Sequence, residues 1–426
     1  MSEKQVAETK GQKYIKSTEV EMVFNQLISN SQVKEALSFL KEDNDHTTEE
    51  QIKLTAIQAP TFQEKERGDF YKNRLGELNI KDIKVDEVGN VFGVRSGNGS
   101  GPAVVVCAHL DTVFPEGTET VAKIIDGKVY APGISDDGRG LAAVLTIVRA
   151  LNHANIQTEG DLIIGATVGE EGLGDLRGVK ALFKNRKDID GFISIEPGEP
   201  GEITYLATGS KRYKVTYKGP GGHSFGDFGT PSPIHAMGRA IAEIARVETP
   251  ENPKTTFNVG IVSGGTSINT IAETGEMFLD MRSNSQEELG ELETKILHIL
   301  RKAAEDENLR WKKANDITVN AVLVGDRPAG YQSPESIIVQ ASAAATVAIG
   351  VEPILADASS TDSNVPIHLG IPAVTLSGGG SSGGCHTLNE YYDPTDAFLG
   401  VQKVLLTTLG LVGLKNVTEP LLKKEA

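Results

Sequence analysis

The sequence predicts an α/β fold in which a smaller α+β domain interrupts a domain built on a mostly parallel central sheet. Three observations lead to this prediction. The chain has 426 residues, which is more than one ordinary domain requires. Patterns of buried strands alternate with helical patterns on both sides of the middle of the chain. Between residues 209 and 326 the order changes to strand, helix, strand, strand, helix, strand, which is that of a ferredoxin-like unit.

The first part of the α/β domain is predicted to span residues 1–208. Its first 80 residues are typical of polar helices, and the first 20 carry no motif and are interpreted as a disordered leader. Residues 83–99 alternate in polarity and end in glycines, which indicates a hairpin. The apolar runs PAVVVCAHLD, DLIIGATV and GFISIEPG indicate strands buried on both faces. The stretch DGRGLAAVLTIVRALNHAN has the apolar stripe of a helix that packs on such a sheet, so the predicted layering is α/β/α.

The inserted domain is predicted to cover residues 209–326, and residues 327–426 are predicted to return to the α/β domain. The insertion has two helical stretches, SPIHAMGRAIAEIARV and QEELGELETKILHILRKAAEDE, set among four strand patterns. After it come a predicted helix at 335–348, a strand at 371–377 and a helix at 394–410.

Composition excludes several classes of protein. The formal net charge of −16 argues against a surface for nucleic acid or for anionic lipid. No apolar run is long enough to span a membrane, and the N-terminus has no secretory apolar region. The chain has only two cysteines, Cys107 and Cys385, which we interpret as structural residues. Two isolated cysteines exclude a disulfide framework and predict a cytoplasmic protein.

Histidine and acidic residues follow the ends of the predicted strands or open the predicted helix. They are His109, Asp111, Asp136, Asp137, Glu170, Glu171, Glu196 and His386. Because ligands bind outside the carboxyl ends of the strands in an open α/β sheet, we expect these side chains to meet at one edge. Imidazole and carboxylate ligands suit zinc, cobalt or manganese. There are more ligands than one open ion needs, which favours a two-metal hydrolytic site.

Two of these residues, His109 and Asp137, have alternative interpretations. Asp111 follows His109 by two positions, so both side chains face the same side of a strand, and the Asp111 carboxylate is predicted to hold the imidazole. An ordinary buried histidine is the alternative for His109. Asp137 precedes a helical stripe, where a helix N-cap is the simpler role.

Six motifs of this sequence resemble those of the di-zinc metallopeptidase family 20, in the same order and with approximately the same spacing. They are HLD (109–111), GISDDGRG (133–140), GEEG (169–172), ISIEP (193–197), GGH (221–223) and GCHTLNE (384–390). The resemblance begins near residue 50 and covers nearly all of the chain that follows. The family includes carboxypeptidase G, peptidase T, aminoacylase and succinyl-diaminopimelate desuccinylase. It implies a zinc-exopeptidase catalytic domain (phosphorylase/hydrolase-like) with an inserted lid or dimerisation domain.

The resemblance implies a role for each residue at the sheet edge. Two zinc ions would share Asp136 as a bridging ligand. The other implied ligands are His109 and Glu196 for one ion, and Glu171 and His386 for the other. Glu170 would be the general base, and Asp111 would orient His109. In this interpretation Gly169 and Gly172 let the backbone turn, so that both glutamates reach one site. The family also implies a cis peptide bond between Asp136 and Asp137.

The inserted domain has implied functional residues as well. His223 resembles a histidine that, in dimeric members, reaches the partner's active site and stabilises the oxyanion, which predicts a homodimer. A surface loop histidine is the alternative for His223. Asn269 and Arg282 resemble lid residues that contact the substrate. The glycine-rich loop 378–384, including Gly379, is predicted to offer N–H groups to a substrate carboxylate.

The predicted reaction is hydrolysis of an amide bond in a small peptide, by hydroxide held between two zinc ions with Glu170 as the base. Glu196 stands where carboxypeptidases and deacylases of the family have Glu and its aminopeptidases have Asp. This favours cleavage next to a free carboxylate, although a tripeptidase remains open. One alternative is an N-acyl-amino-acid deacylase with the same metal site. The alternative from another functional class is an inactive homologue, a binding protein that has lost catalysis.

Overall fold

The structure is a computed structural model, and it describes residues 16–99 and 101–424. The chain forms two compact units, Met1–Leu206 with Gln332–Ala426, and Ala207–Tyr331. Most of the predicted leader, residues 1–15, lies outside the described residues. For residues 18–20 the prediction of disorder is wrong, because they begin helix α1 (Thr18–Ser29) and Val20 is fully buried.

The first part of the first unit begins with helices and continues as alternating strands and helices. Its other helices are α2 Ser31–Glu42, α3 Asn44–Ala56, α4 Lys65–Glu77, α5 Gly138–His153 and α6 Arg177–Asn185. Its strands are β1 Lys81–Val85, β2 Val91–Arg95, β3 Ala103–His109, β4 Lys123–Ile125, β5 Lys128–Tyr130, β6 Asp161–Thr167, β7 Gly191–Glu196 and β8 Glu202–Thr204. The four helices before β1 confirm the predicted helical N-terminal region, and the antiparallel β1–β2 pair confirms the hairpin.

The second unit is an antiparallel sheet with two helices. Its strands are β9 Gly209–Lys218, β10 Gly222–His223, β11 Thr255–Gly264, β12 Thr270–Ile271, β13 Thr274–Ser283 and β14 Thr318–Arg327. Its helices are α7 Pro233–Ile244 and α8 Gln286–Arg310. The long strands lie in the order β11-β13-β9-β14, as in a ferredoxin-like unit. Both helices pack on the sheet through a core that includes Val215, Met237, Met281 and Leu292.

The chain then returns to the first unit. The elements there are α9 Ile337–Ala348, β15 Ile354–Leu355, α10 Asn364–His368, β16 Ala373–Ser377, β17 Ser381–Gly383, β18 Tyr391–Asp393 and α11 Phe398–Val412. The central sheet has the order β1-β2-β6-β3-β7-β16-β8-β15. Its middle strands β6, β3, β7 and β16 are parallel to one another, which confirms the predicted fold class. Every residue of β3 is buried, as the continuous apolar run predicts for a strand covered on both faces.

Lys403 is a buried charged residue of the first unit and makes stability depend on pH. Its Nζ donates to the main-chain oxygen of Glu202 at 2.8 Å, and its side chain is fully buried. Burial lowers the pKa of Lys403 from 10.5 to about 7. Between these two pH values the unfolded chain binds a proton that the folded chain does not, so the free energy of unfolding rises with pH.

We therefore expect the melting temperature of the wild-type protein, taken relative to that of Lys403→Met, to be higher at pH 9 than at pH 7. The difference in unfolding free energy should change by at most about 1.4 kcal/mol per pH unit, because one proton is linked to unfolding. Melting curves of both proteins at matched ionic strength measure it. Parallel pH profiles would contradict a role for Lys403.

Among the described residues, no helix combines the length and apolar character needed to cross a membrane.

Candidate functional site

The predicted site residues of the first unit lie at the carboxyl edge of the parallel strands. His109 is the last residue of β3, and Glu196 is the last residue of β7. The GEEG turn follows β6, and Asp136 lies in the turn that leads into α5. His386 comes after β16 and the short strand β17. Because these strands are parallel neighbours, their ends bring residues that are far apart in sequence to one place.

Asp136 lies at the centre of this cluster. One of its carboxylate oxygens, Oδ1, is 3.0 Å from Nε2 of His109. The other, Oδ2, is 3.1 Å from Nε2 of His386. The same His386 nitrogen is 3.0 Å from Oε1 of Glu171, and Oε2 of Glu196 is 3.6 Å from Nε2 of His109. The two oxygens of Asp136 therefore face two different histidines, which is the arrangement a bridging carboxylate needs.

Three overlapping groups of ligand atoms, each within 4.8 Å of one another, fit metal ions. They are His109 with Asp136 and Glu196, Asp136 with Glu171 and His386, and His109 with Glu170 and Glu171. Glu171 belongs to two of these groups, and Glu170 belongs to one. Oε1 of Glu196 is also a buried side-chain oxygen without a hydrogen-bond partner among the described residues. A buried acceptor of this kind is costly unless a ligand satisfies it, so the residues present fit divalent metal.

The electrostatics of the cluster show an excess of buried negative charge. Burial and the neighbouring Asp136 raise the pKa of Glu171 to about 7. Burial also raises the pKa of Glu196. The hydrogen bond to Asp136 raises the pKa of His386 to about 9, and carboxylates raise that of the buried His109 although burial opposes it. Such a site attracts cations, and bound metal would replace these protons.

The GEEG turn brings both glutamates into the site, as the glycines predict. Gly169 has φ of +68° and Gly172 has φ of +50°, a region that favours glycine. A side chain at Gly169 would also place its Cβ 1.8 Å from Nη1 of Arg177. Glu170 and Glu171 are each 6% exposed, so the turn buries two adjacent carboxylates.

Asp111 has a contact that the sequence does not predict. The atom of Asp111 that bonds Nδ1 of His109 is its main-chain oxygen, at 2.9 Å, whereas its nearer carboxylate oxygen is 3.7 Å away. The carboxylate instead accepts the N–H groups of Glu170 and Glu171, both at 3.0 Å, and the hydroxyl of Thr61 at 2.9 Å. The prediction that the carboxylate holds the imidazole is therefore replaced by a clamp on the GEEG turn.

Asp137 has the simpler of its two predicted roles. Its carboxylate accepts the N–H of Gly140 at 2.9 Å and so caps helix α5, and it accepts the N–H of His109 at 3.1 Å. The peptide bond between Asp136 and Asp137 is cis, which confirms the implied geometry. The two neighbouring aspartates thus face different partners.

The role predicted for Gly379 is not supported by its contacts. Its N–H donates to Oγ of Ser377 at 2.9 Å, and its carbonyl accepts from the hydroxyl of Tyr392 at 3.1 Å. A Cβ at this position would lie 2.0 Å from the main-chain oxygen of Ala397. Gly379 is needed for close packing of the loop against the start of α11, and it offers no free N–H to a substrate.

The second unit contains the other three predicted residues. His223 and Asn269 lie together, because β10 pairs with β12 and the N–H of Ser224 donates to the Asn269 carbonyl at 3.0 Å. Both side chains are exposed. Arg282 is also exposed, pairs with Asp280 at 2.8 Å, and lies near the end of β13 that is farther along the chain from β12.

Three groups around the cluster, two of them buried, have no signal in the sequence that singles them out. Glu390 is fully buried and bonds the turn before Asp136; its only signal is its position within GCHTLNE. Asp362 is fully buried, accepts from the Thr167 hydroxyl, and has a pKa raised to about 7 by burial. Thr61 comes from a loop without any motif, so only the fold could reveal it.

Comparison with known proteins agrees with these observations. A sequence model described as "Peptidase family M20/M25/M40" matches residues 105–409. The succinyl-diaminopimelate desuccinylase of Nitrosospira multiformis is 25% identical over 367 residues, which cover 80% of this chain and 92% of that protein.

Two solved structures have the same fold. The aminopeptidase PepT of Bacillus cereus has a TM-score of 0.71 at 23% identity and covers 85% of this chain and 97% of its own. The YXEP protein of Bacillus subtilis, a dinuclear metal-binding peptidase, has a TM-score of 0.67 at 16% identity and covers 87% of this chain and 99% of its own. Because the family match spans most of the chain and includes every residue of the cluster, the resemblance predicted from the motifs is confirmed: the chain belongs to peptidase family M20/M25/M40, whose members are hydrolases that act on amide bonds.

Proposed function

We propose that this protein is a two-metal exopeptidase that hydrolyses an amide bond of a small peptide. The observation that carries the proposal is the placement of Asp136, whose two oxygens face His109 and His386 at 3.0 and 3.1 Å. His109 and Glu196 would complete one ligand set with Asp136. Glu171 and His386 would complete the other. Zinc is the preferred ion for these ligands, and cobalt or manganese would also fit them.

The two ions, when bound, supply Lewis acidity and lower the pKa of water towards neutrality. Glu170 accepts the proton of the attacking water and later passes it to the leaving nitrogen, so that one carboxylate serves both halves of the reaction. Two features suit it to this task. Its carboxylate shares a group with His109 and Glu171 but not with Asp136 or His386. Its backbone is fixed by the bond from its N–H to Asp111.

His223 would stabilise the oxyanion from a second copy of the chain in a homodimer. Its Nδ1 accepts the N–H groups of Phe225 and Gly226, at 3.2 and 3.1 Å. The neutral ring therefore carries its proton on Nε2, which is the donor an oxyanion requires. Light scattering tests the dimer, and mixing His223→Ala with Glu170→Gln tests the shared site. Half of randomly mixed dimers have one intact site, so about a quarter of wild-type activity should return. A monomer, or mixtures as inactive as the separate variants, would contradict this part of the proposal.

The substrate class is proposed to be peptides with a free carboxylate beside the cleaved bond. Glu196 favours this class through the family resemblance, and Arg282 and Asn269 are exposed groups that could bind the substrate. A specific observation also favours a second candidate, an N-acyl-amino-acid deacylase. The relative from Nitrosospira multiformis is named for removal of a succinyl group from an amino acid.

A panel of blocked substrates tests the proposal. Chelated protein would be supplied with zinc, cobalt or manganese and given Ala-Ala-Ala, N-acetyl-Ala-Ala, Ala-Ala-amide and N-succinyl amino acids. Cleavage that requires the free carboxylate but tolerates a blocked amine identifies a carboxypeptidase. Cleavage that requires the free amine identifies a tripeptidase, and cleavage confined to acyl amino acids identifies a deacylase. If no amide is cleaved with any metal, the remaining interpretation is an inactive binding homologue.

A further inference from the structure

Glu390 is a buried carboxylate that belongs to none of the ligand groups. Its side chain is completely shielded from solvent. Its two oxygens accept four hydrogen bonds from one short turn of the chain, residues 133–136. The donors are the N–H of Gly133 at 2.8 Å, the N–H of Ser135 at 2.8 Å, the hydroxyl of Ser135 at 3.1 Å and the N–H of Asp136 at 3.0 Å. A carboxylate is costly to bury, and several charge-assisted hydrogen bonds of this kind offset that cost.

The same residue is joined to the loop that carries His386. Glu390 follows His386 by four residues, and its own N–H donates to the main-chain oxygen of Thr387 at 3.2 Å. The N–H of Thr387 in turn donates to the carbonyl of Gly384 at 3.0 Å. One side chain therefore connects two loops that are about 250 residues apart in sequence. The ligand atoms of these loops, Oδ2 of Asp136 and Nε2 of His386, are 3.1 Å apart.

We propose that Glu390 is a positioning residue that fixes the carboxylate of Asp136 relative to the imidazole of His386, and so sets the affinity of this ligand pair for divalent metal. The inference rests on the proposed function, because it takes Asp136 and His386 to bind metal. Groups that orient ligands from outside typically change metal affinity by about 10- to 100-fold when they are removed. Three bonds to the residues before Asp136 and one to its own N–H make Glu390 such a group.

The test compares Glu390→Gln with Asp190→Asn. Glutamine keeps the shape of Glu390 but turns one acceptor oxygen into an amide donor. Because this donor would face the N–H groups of the turn, the turn should be displaced. Asp190 is a matched control, because it is also buried and its Oδ2 accepts the N–H of Ala103 at 2.8 Å, at the opposite end of β3 from His109. Both variants should melt earlier than the wild type without metal. If Glu390 only stabilises the fold, this earlier melting should be the only effect of Glu390→Gln.

Titration of chelated full-length protein with Co²⁺, followed by its visible absorption, separates the two roles. We expect Glu390→Gln to bind Co²⁺ about 10- to 100-fold more weakly, with an altered spectrum. Asp190→Asn should keep the wild-type affinity and spectrum. Equal Co²⁺ affinity and spectra in wild type and Glu390→Gln would overturn the inference and leave the proposed function intact. A wild-type protein that binds no Co²⁺ would overturn both.

A second variant covers the case in which Glu390→Gln does not fold, as judged by circular dichroism. Ser135→Ala removes the hydroxyl that donates to Glu390 at 3.1 Å and lies 3.4 Å from Sγ of Cys385, and it leaves the three N–H donors in place. We expect a smaller but measurable loss of Co²⁺ affinity, with the fold unchanged. If Ser135→Ala binds Co²⁺ as tightly as the wild type, the inference is overturned.

Discussion

Glu170→Gln is expected to lower kcat by about 10²- to 10⁴-fold, while the purified variant keeps its bound metal. Glutamine has nearly the same shape as glutamate but cannot accept a proton at neutral pH, so only proton transfer should be lost. The main-chain bond from residue 170 to Asp111 does not depend on the side chain and should hold the turn in place. Steady-state kinetics on the best peptide of the panel, with metal counting by mass spectrometry, measure both quantities.

Glu171→Gln is the matched control, since it makes the same chemical change one residue further along the GEEG turn. Oε1 of Glu171 lies 3.0 Å from Nε2 of His386, and its carboxylate belongs to two ligand groups. We therefore expect this variant to lose metal as well as turnover. If Glu170→Gln retained most of the wild-type activity, or if it lost metal and Glu171→Gln did not, the assignment of the two glutamates would be reversed or wrong.

Asp136→Asn is expected to reduce bound metal to less than about one equivalent per chain and to abolish turnover, because both proposed ion sites share this carboxylate. An asparagine can offer one oxygen to metal, but its amide nitrogen cannot replace the second. The loss should persist when metal is supplied in moderate excess. Equilibrium dialysis against zinc, with mass spectrometry of the protein fraction, gives the stoichiometry directly.

Asp137→Asn is the control for Asp136→Asn, because the two residues are adjacent and have different partners. Asp137 caps helix α5 and accepts the N–H of His109. Asparagine keeps one of these two acceptors and turns the other into an amide donor, so one buried N–H loses its partner. We expect this to cost about 1 to 3 kcal/mol of stability, with two metals still bound at saturation. A normal metal content in Asp136→Asn, with loss of metal in Asp137→Asn, would contradict the bridging role.

The fold and the ligand cluster could be predicted from the sequence because their signals are local. A continuous apolar run that ends in His109 specifies a buried strand and the placement of its last side chain. The same holds for the strand that ends in Glu196. Once the strands are parallel, the rule that their carboxyl ends share one edge brings the ligands together without any knowledge of contacts.

The network that holds the ligands could not be predicted in the same way. The Asp111 carboxylate clamps the GEEG turn because β3 and β6 are neighbours in register, which residue spacing within one strand does not reveal. Glu390 bonds a turn more than 250 residues earlier in the chain. Gly379 was predicted to bind substrate from its glycine-rich surroundings, but this glycine allows close packing against Ala397 and Gly400 at the start of α11. Such contacts depend on tertiary distances that leave little trace in the local sequence.

Metal counting combined with activity tests the central claim most directly. Protein stripped by a chelator would be titrated with zinc, and bound metal and peptide hydrolysis would be measured on the same samples. The structure predicts about two equivalents per chain, shared through Asp136, and turnover that appears only as they bind. Less than about one equivalent at saturation, or full turnover by the stripped protein, would contradict the two-metal mechanism.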